Sequence, residues 1–522
     1  MSFKLTYATM FNPPEALHEG FEKALAQVEA HLGARHPLLI DGQEAAPAGY
    51  AELRGPIDQN RVLGEFAVAG RTEADEAMRA AQGAYAAWRN TPYRERARLL
   101  RKVADLLERR VYEISAALAL EVGKNRMEAL GETAETVDFF RHYADDMERH
   151  GGFDHKLPND PLAGVVSTNR SVMRPYGTWV VIVPFNYPLA LAGGPVAAAL
   201  VAGNTVVLKG SENTPWSGRL LADCIRDAGL PNGVFNYLSC AGGDVGAQLA
   251  AHPLTAGLTF TGSVAVGKRL IATMTGGAWP RPVIAEMGGK NPCIVTARAD
   301  LDAAAAGIAR SAYGMGGQKC SALSRLYVEA SVADAFIERL KKQIAGIKVG
   351  DPTKREFWLG PVIHAESYGN FSRYMEELKA AGARIHAGGR TLRDGALARG
   401  FFVEPTLAEA PASHRLWRHE MFVPLLMLQR VKDRDEAMRL ANGTEMGLTA
   451  GFYGGADEVP WFHEYIEAGV TYANRPQGAT TGAWPGYQPF GGWKGSGSTG
   501  KAIASYYYLP LYLREQSRTV VE

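Results

Sequence analysis

From Thr178 to Phe260 the chain alternates between short, continuously apolar runs and stretches with helical spacing. Trp179–Val183, Thr205–Leu208, Gly233–Leu238 and Leu258–Phe260 read as strands, and Leu189–Val201, Pro215–Ala228 and Val245–Ala251 as the helices between them. Runs without a polar face belong to parallel strands covered on both sides, and strands alternating with helices build βαβ units. The pattern restarts near Glu286, with strands at Pro292–Val295 and Ser324–Val328 and helices at Leu301–Met315 and Val332–Ile347. Two α/β bodies are predicted. Ahead of them, Ala74–Ala87 and Tyr93–Leu120 read as helices, the second showing i, i+3, i+4 apolar spacing and ending at Gly123.

A chain of 522 residues exceeds one hydrophobic core and suggests about three domains. Its net charge of +1 predicts no nucleic-acid partner and no attraction to acidic membranes. The most apolar long stretch, Thr178–Val207, is interrupted by prolines, glycines and asparagines, so no membrane span is expected. Four scattered cysteines without a CxxC pair predict no metal site and suit a reducing compartment. The N-terminal residues lack the apolar core of a signal peptide, so a cytoplasmic protein is expected.

Cys320 lies in Gly316-Gly317-Gln318-Lys319-Cys320-Ser321-Ala322, after a predicted helix. Glycines let a ligand approach the backbone, and a nucleophilic thiol requires an accessible, electropositive setting. A lone cysteine is more often a buried structural residue, so the reading rests on its company. Glu286, in Glu286-Met287-Gly288-Gly289-Lys290, offers a carboxylate to activate water. Phe260-Thr261-Gly262-Ser263, with Gly267, follows a strand and opens a helix, whose N-terminus favours a phosphate. Lys319 adjoins the thiol, but neighbouring side chains often point apart, and no role is assigned to it.

Together these segments resemble the aldehyde dehydrogenase superfamily over roughly residues 36–515. The resemblance is carried by Pro184-Phe185-Asn186-Tyr187-Pro188, Leu208-Lys209-Gly210-Ser211-Glu212, the loops of Glu286 and Cys320, His419-Glu420-Met421-Phe422-Val423-Pro424, and Pro489-Phe490-Gly491-Gly492-Trp493-Lys494. Within the superfamily, Tyr313–Arg325 and Thr481–Gly492 are similar to the 1-pyrroline-5-carboxylate dehydrogenase branch. Tyr187 stands where that branch usually has phenylalanine.

The resemblance implies NAD(P)-dependent oxidation of an aldehyde to a carboxylate through a thiohemiacetal and a thioester on Cys320. Asn186 then supplies an oxyanion donor and Glu286 the general base. Lys209, Ser211, Glu212, Gly262, Ser263, Gly267, Glu420 and Phe422 would hold the cofactor, NAD, with NADP as the alternative. Ser321, Gly482 and Ala483 would hold the substrate's carboxylate, and Tyr187 and Phe490 its aliphatic part. The implied substrate is L-glutamate-γ-semialdehyde in proline catabolism. The alternatives are another short or carboxylated aldehyde, or a catalytically silent homologue.

The expected fold class is α/β, with two doubly wound Rossmann-like domains of parallel sheet and a small β flap. Residues 1–155 and 175–285 would form the NAD(P)-binding domain and 286–490 the catalytic domain. Residues 156–174 and 491–522 would form oligomerisation segments of a homodimer or higher homo-oligomer.

Overall fold

The computed structural model describes residues 4–7, 9–45, 47, 49–239, 243–476 and 484–521. Two seven-stranded sheets carry the chain. In the first, Val283–Glu286, Thr255–Thr261, Thr178–Ile182, Thr205–Lys209 and Phe235–Leu238 lie side by side in that order, all parallel. Leu38–Ile40 and Gln43–Ala45 extend the edge antiparallel. The strands are buried on both faces, as their unbroken apolar runs require. Val180, Ile182 and Phe260 enter one core, and Trp179, Val181 and Leu208 the other.

The second sheet runs Arg384–Ala387, Thr406–Glu409, Leu425–Val431, Leu323–Glu329, Asn291–Val295, Thr449–Tyr453 and Val470–Ala473, parallel except at the first pair. It too divides two cores, with Ile294 and Tyr327 in one and Cys293 and Leu326 in the other. Both sheets are α/β and doubly covered, as expected. The strand order of the first reverses between Thr178–Ile182 and Thr255–Thr261, and in open α/β sheets ligands bind beyond the carboxyl ends at such a reversal.

Helices at Arg71–Asn90, Tyr93–Arg109, Val111–Val122 and Arg126–Arg149 precede the parallel strands of the first seven-stranded sheet. The predicted run Tyr93–Leu120 is two helices, because Arg110 leaves helical geometry at φ −98°, ψ 15°. Gly123 ends the second in the left-handed region (φ 78°), the expected stop. A three-stranded antiparallel sheet joins Asp154–Leu157, Ser167–Pro175 and Leu513–Val521.

The predicted 491–522 segment divides in the structure. Trp493–Lys494 pairs with Met446–Gly447, and Ser496 and Ser498 bond to the backbone around Glu286. Among the described residues of this segment, Leu513–Val521 joins the flap. Among the described residues, no helix is long and apolar enough to cross a membrane.

Candidate active site

The helix Leu301–Tyr313 starts on Asp300, whose carboxylate caps Asp302 and Ala303, and stops at Gly314. Met315, Gly316 and Gly317 then take positive φ values of 52°, 65° and 66°. At Gly317 a Cβ would lie 2.4 Å from the Val423 carbonyl oxygen, so only glycine fits this turn. The Gln318 amide braces the loop, donating to Met315 O at 3.1 Å and accepting from the Ile363 N–H at 2.9 Å. Asn291 receives the loop's far side, donating to Cys320 O at 2.7 Å and Ala322 O at 2.9 Å. Cys320 thus sits at the amino edge of the second sheet.

The carboxyl edge of the first sheet faces it. Register places Thr261 beside Glu286, Phe260 beside Ile182, and Ile182 beside Lys209. The loop after Glu286 closes on the thiol loop at Gly289 and on Glu420 at Gly288. A Cβ at Gly289 would meet Cys320 O at 2.2 Å, and one at Gly288 would meet a Glu420 oxygen at 2.2 Å.

Two cavities meet at this junction, and Asn186 and Cys320 are the residues common to both walls. One is largely apolar and includes Tyr187, Ser321, Phe490, Phe139 and Trp484. The other includes Thr261, Gly262, Ser263, Gly288, Glu420 and Phe422. Asn186 is 3% exposed, and its side-chain N–H donates to Gln318 O at 3.0 Å. A primary amide has a second N–H for another acceptor. Its backbone oxygen accepts from Lys124 at 2.8 Å.

The second cavity suits a dinucleotide by its donor set. Ser263 caps the helix Val264–Thr275, accepting from Val266 N at 3.4 Å, and the helix N-terminus opens on the cavity. Glu420 keeps one oxygen on the Gly289 N–H at 2.9 Å and lines the cleft, as a carboxylate that takes ribose hydroxyls must. Phe422, held at φ 55°, stands edge-on to Phe185 at 5.8 Å. Gly267 lies behind the wall, against Met287. Lys209, Ser211 and Glu212 are at the carboxyl end of the adjacent strand, outside the cavity wall, and the Ser211 hydroxyl accepts from Asn213 N at 3.2 Å. Gly482 and Ala483 lie outside the described residues.

Burial pushes the Cys320 thiol up, and the Glu286 and Glu420 carboxyls push the same way. The N–H groups of Ser321 and Cys320 oppose them, and the net direction is upward. Lys319, held protonated by Glu128, lines the same cavity as the thiol. Burial also raises Glu286 to about 8 and Glu420 to about 7. Glu286 stands back from both cavity walls, at the end of its strand.

Sequence reasoning missed the buried polar face of the long helix Arg126–Arg149. Buried Glu128 and Glu132 and half-buried Glu135 share one stripe at i, i+4, i+7. Glu128 pairs with Lys319 at 2.8 Å, Glu132 with Lys124, and Glu135 accepts from the Tyr7 hydroxyl at 2.6 Å. Three carboxylates at helical spacing among apolar neighbours were the available signal. His364 and Glu366, at the start of the helix Ala365–Ala380, line the second cavity and carried no motif.

Comparison with known proteins agrees with this geometry. The family model described as aldehyde dehydrogenase family matches residues 45–516. The chain belongs to the aldehyde dehydrogenase family. It is 38% identical over 514 residues to a 1-pyrroline-5-carboxylate dehydrogenase of Geobacillus sp. (strain WCH70), covering 97% of each chain. Against a 1-pyrroline-5-carboxylate dehydrogenase of Bacillus subtilis (strain 168) it is 36% identical over 508 residues, covering 96% of each. A solved 1-pyrroline-5-carboxylate dehydrogenase from Thermus with bound NAD superposes with TM-score 0.92 at 35% identity, over 100% of this chain and 99% of that one. In this aldehyde dehydrogenase the Cys320 thiol lies where the two cavities meet.

Proposed function

We propose that this aldehyde dehydrogenase oxidises L-glutamate-γ-semialdehyde, the open form of pyrroline-5-carboxylate, to L-glutamate with NAD. The observation that carries the reading is the position of Cys320 and Asn186 on the boundary between the two cavities. The relatives named above support the substrate.

Cys320 gives its proton to water in the cavity, and the thiolate sulfur attacks the aldehyde carbon. The Asn186 side chain and the Cys320 N–H donate to the oxyanion that forms. Hydride acceptance is the chemistry the nicotinamide supplies when bound. Collapse of the thiohemiacetal leaves a thioester on Cys320. Glu286 turns towards it, takes a proton from water and directs the hydroxide at the carbonyl, releasing the acid and the thiolate. Ser263 and the helix N-terminus take the cofactor's phosphates, and Glu420 a ribose. Lys209, Ser211 and Glu212 belong to the adenosine end, where an acidic group disfavours a 2′-phosphate and so favours NAD over NADP. Ser321 takes the substrate carboxylate, and Tyr187 and Phe490 enclose its methylenes.

The first sheet is the cofactor-binding domain and the second the catalytic domain. The exposed Val520 and Val521 edge of the three-stranded sheet supports a homodimer, which light scattering tests. The sparse cysteines support a cytoplasmic location.

Steady-state NADH formation tests the substrate. Pyrroline-5-carboxylate should exceed propanal and succinic semialdehyde in kcat/KM. Comparable turnover of all three would contradict the substrate assignment and leave the reaction class standing.

A further inference from the structure

Tyr7 forms part of the aldehyde cavity's wall, with Glu135, Trp484 and Cys320, and is itself 6% exposed. Its ring stands edge-on to Tyr187 at 6.2 Å and to Trp484 at 5.2 Å. Its hydroxyl donates to Glu135 Oε2 at 2.6 Å.

The segment around Tyr7 is anchored on both sides. Lys4 Nζ lies 2.8 Å from Asp138, which also accepts the Trp484 indole N–H at 2.6 Å. The Arg310 guanidinium lies 3.9 Å over the Phe11 ring and donates to Pro476 O at 3.2 Å. These contacts seat the segment that carries Tyr7 against the cavity.

Glu135 differs from the other carboxylates on its stripe. Glu128 and Glu132 are each paired with a lysine. Among the described residues Glu135 forms no ion pair, and the Tyr7 hydroxyl is its hydrogen-bond partner. A carboxyl at an apolar wall costs free energy unless its oxygens are hydrogen-bonded. One oxygen is held by Tyr7, and among the described residues the other has no hydrogen-bond partner. A site built to hydrogen-bond a substrate group rejects an analogue without that group, because the polar wall is then left unpaired.

Resting on the reading of this cavity as the aldehyde site, we propose that Tyr7 is a specificity-determining positioning residue, whose hydroxyl fixes the Glu135 carboxyl to receive a hydrogen-bonding substituent on the aldehyde chain. The N-terminal segment is then part of substrate selection as well as of folding.

The test is Tyr7→Phe in the full chain, which keeps the ring contacts and removes the hydroxyl. The readout is the ratio of kcat/KM for pyrroline-5-carboxylate over propanal, in wild type, Tyr7→Phe, Glu135→Gln and the double variant. Loss of one positioning hydrogen bond should lower the ratio by about three- to tenfold, carried by KM. Glu135→Gln should also lower it, and Tyr7→Phe should add little in the Glu135→Gln background. An unchanged ratio in Tyr7→Phe, or equal losses on both aldehydes, overturns the proposal. So does an effect that adds in full to that of Glu135→Gln. If wild type prefers another polar aldehyde, the substrate assignment falls, and the same four proteins measured on that aldehyde still decide the role of Tyr7.

Discussion

Lys319 Nζ and Glu128 Oε1 form a buried ion pair at 2.8 Å, which commits the ammonium beside the nucleophile to the long helix of the other body. Burial works against the Lys319 charge, but the Glu128 carboxylate outweighs it and holds the lysine protonated. The pair ties the Cys320 loop to the helix under the aldehyde cavity.

Removing one partner should therefore strand a charge in a site where both side chains are almost fully enclosed. Lys319→Met or Glu128→Gln should each cost about 3–5 kcal/mol, and the double variant less than the sum. Urea denaturation of the four proteins measures the coupling. Strictly additive losses would show that the pair is not the link.

Asn186→Ala removes the proposed oxyanion donor but leaves the backbone oxygen that accepts from Lys124. The rate should fall about 100- to 1000-fold. Stability should fall by only about 1 kcal/mol, the value of the lost Gln318 bond. Kinetics and urea midpoints together separate a catalytic loss from a folding loss.

Glu286 gives activity and stability opposite dependences on pH. Its carboxyl is raised from 4.5 to about 8 by burial. The base form therefore appears only as pH climbs through about 8, so hydrolysis of the thioester should rise along that limb. Folding retains the proton that the unfolded chain has already released. Its contribution to stability is full below 4.5 and is lost as pH rises through about 8. Glu286→Gln should abolish the activity limb and gain stability relative to wild type at alkaline pH. A pH profile of kcat beside one of the urea midpoint checks both signs.

The double cover of both sheets and the turns at Cys320 and Ser263 were legible in the sequence, because apolar runs, glycines and caps act locally. The break at Arg110 was not, since no glycine or proline marks it. Nor was the direction of Lys319, which depends on Glu128 far away in the chain. Tyr7 belongs to no local pattern and meets Glu135 only when the N-terminal segment packs on the long helix. The C-terminal motif looked like flap, but Trp493–Lys494 is captured by Met446–Gly447, a pairing that periodicity does not encode.

The central claim is that Cys320 carries the acyl group and Glu286 releases it. Glu286→Gln, mixed rapidly with pyrroline-5-carboxylate and NAD, should form about one NADH per subunit and then stall. Mass spectrometry of the stalled protein should find the acyl adduct on the Cys320 peptide alone. Undiminished turnover, or an adduct on another residue, would contradict the account.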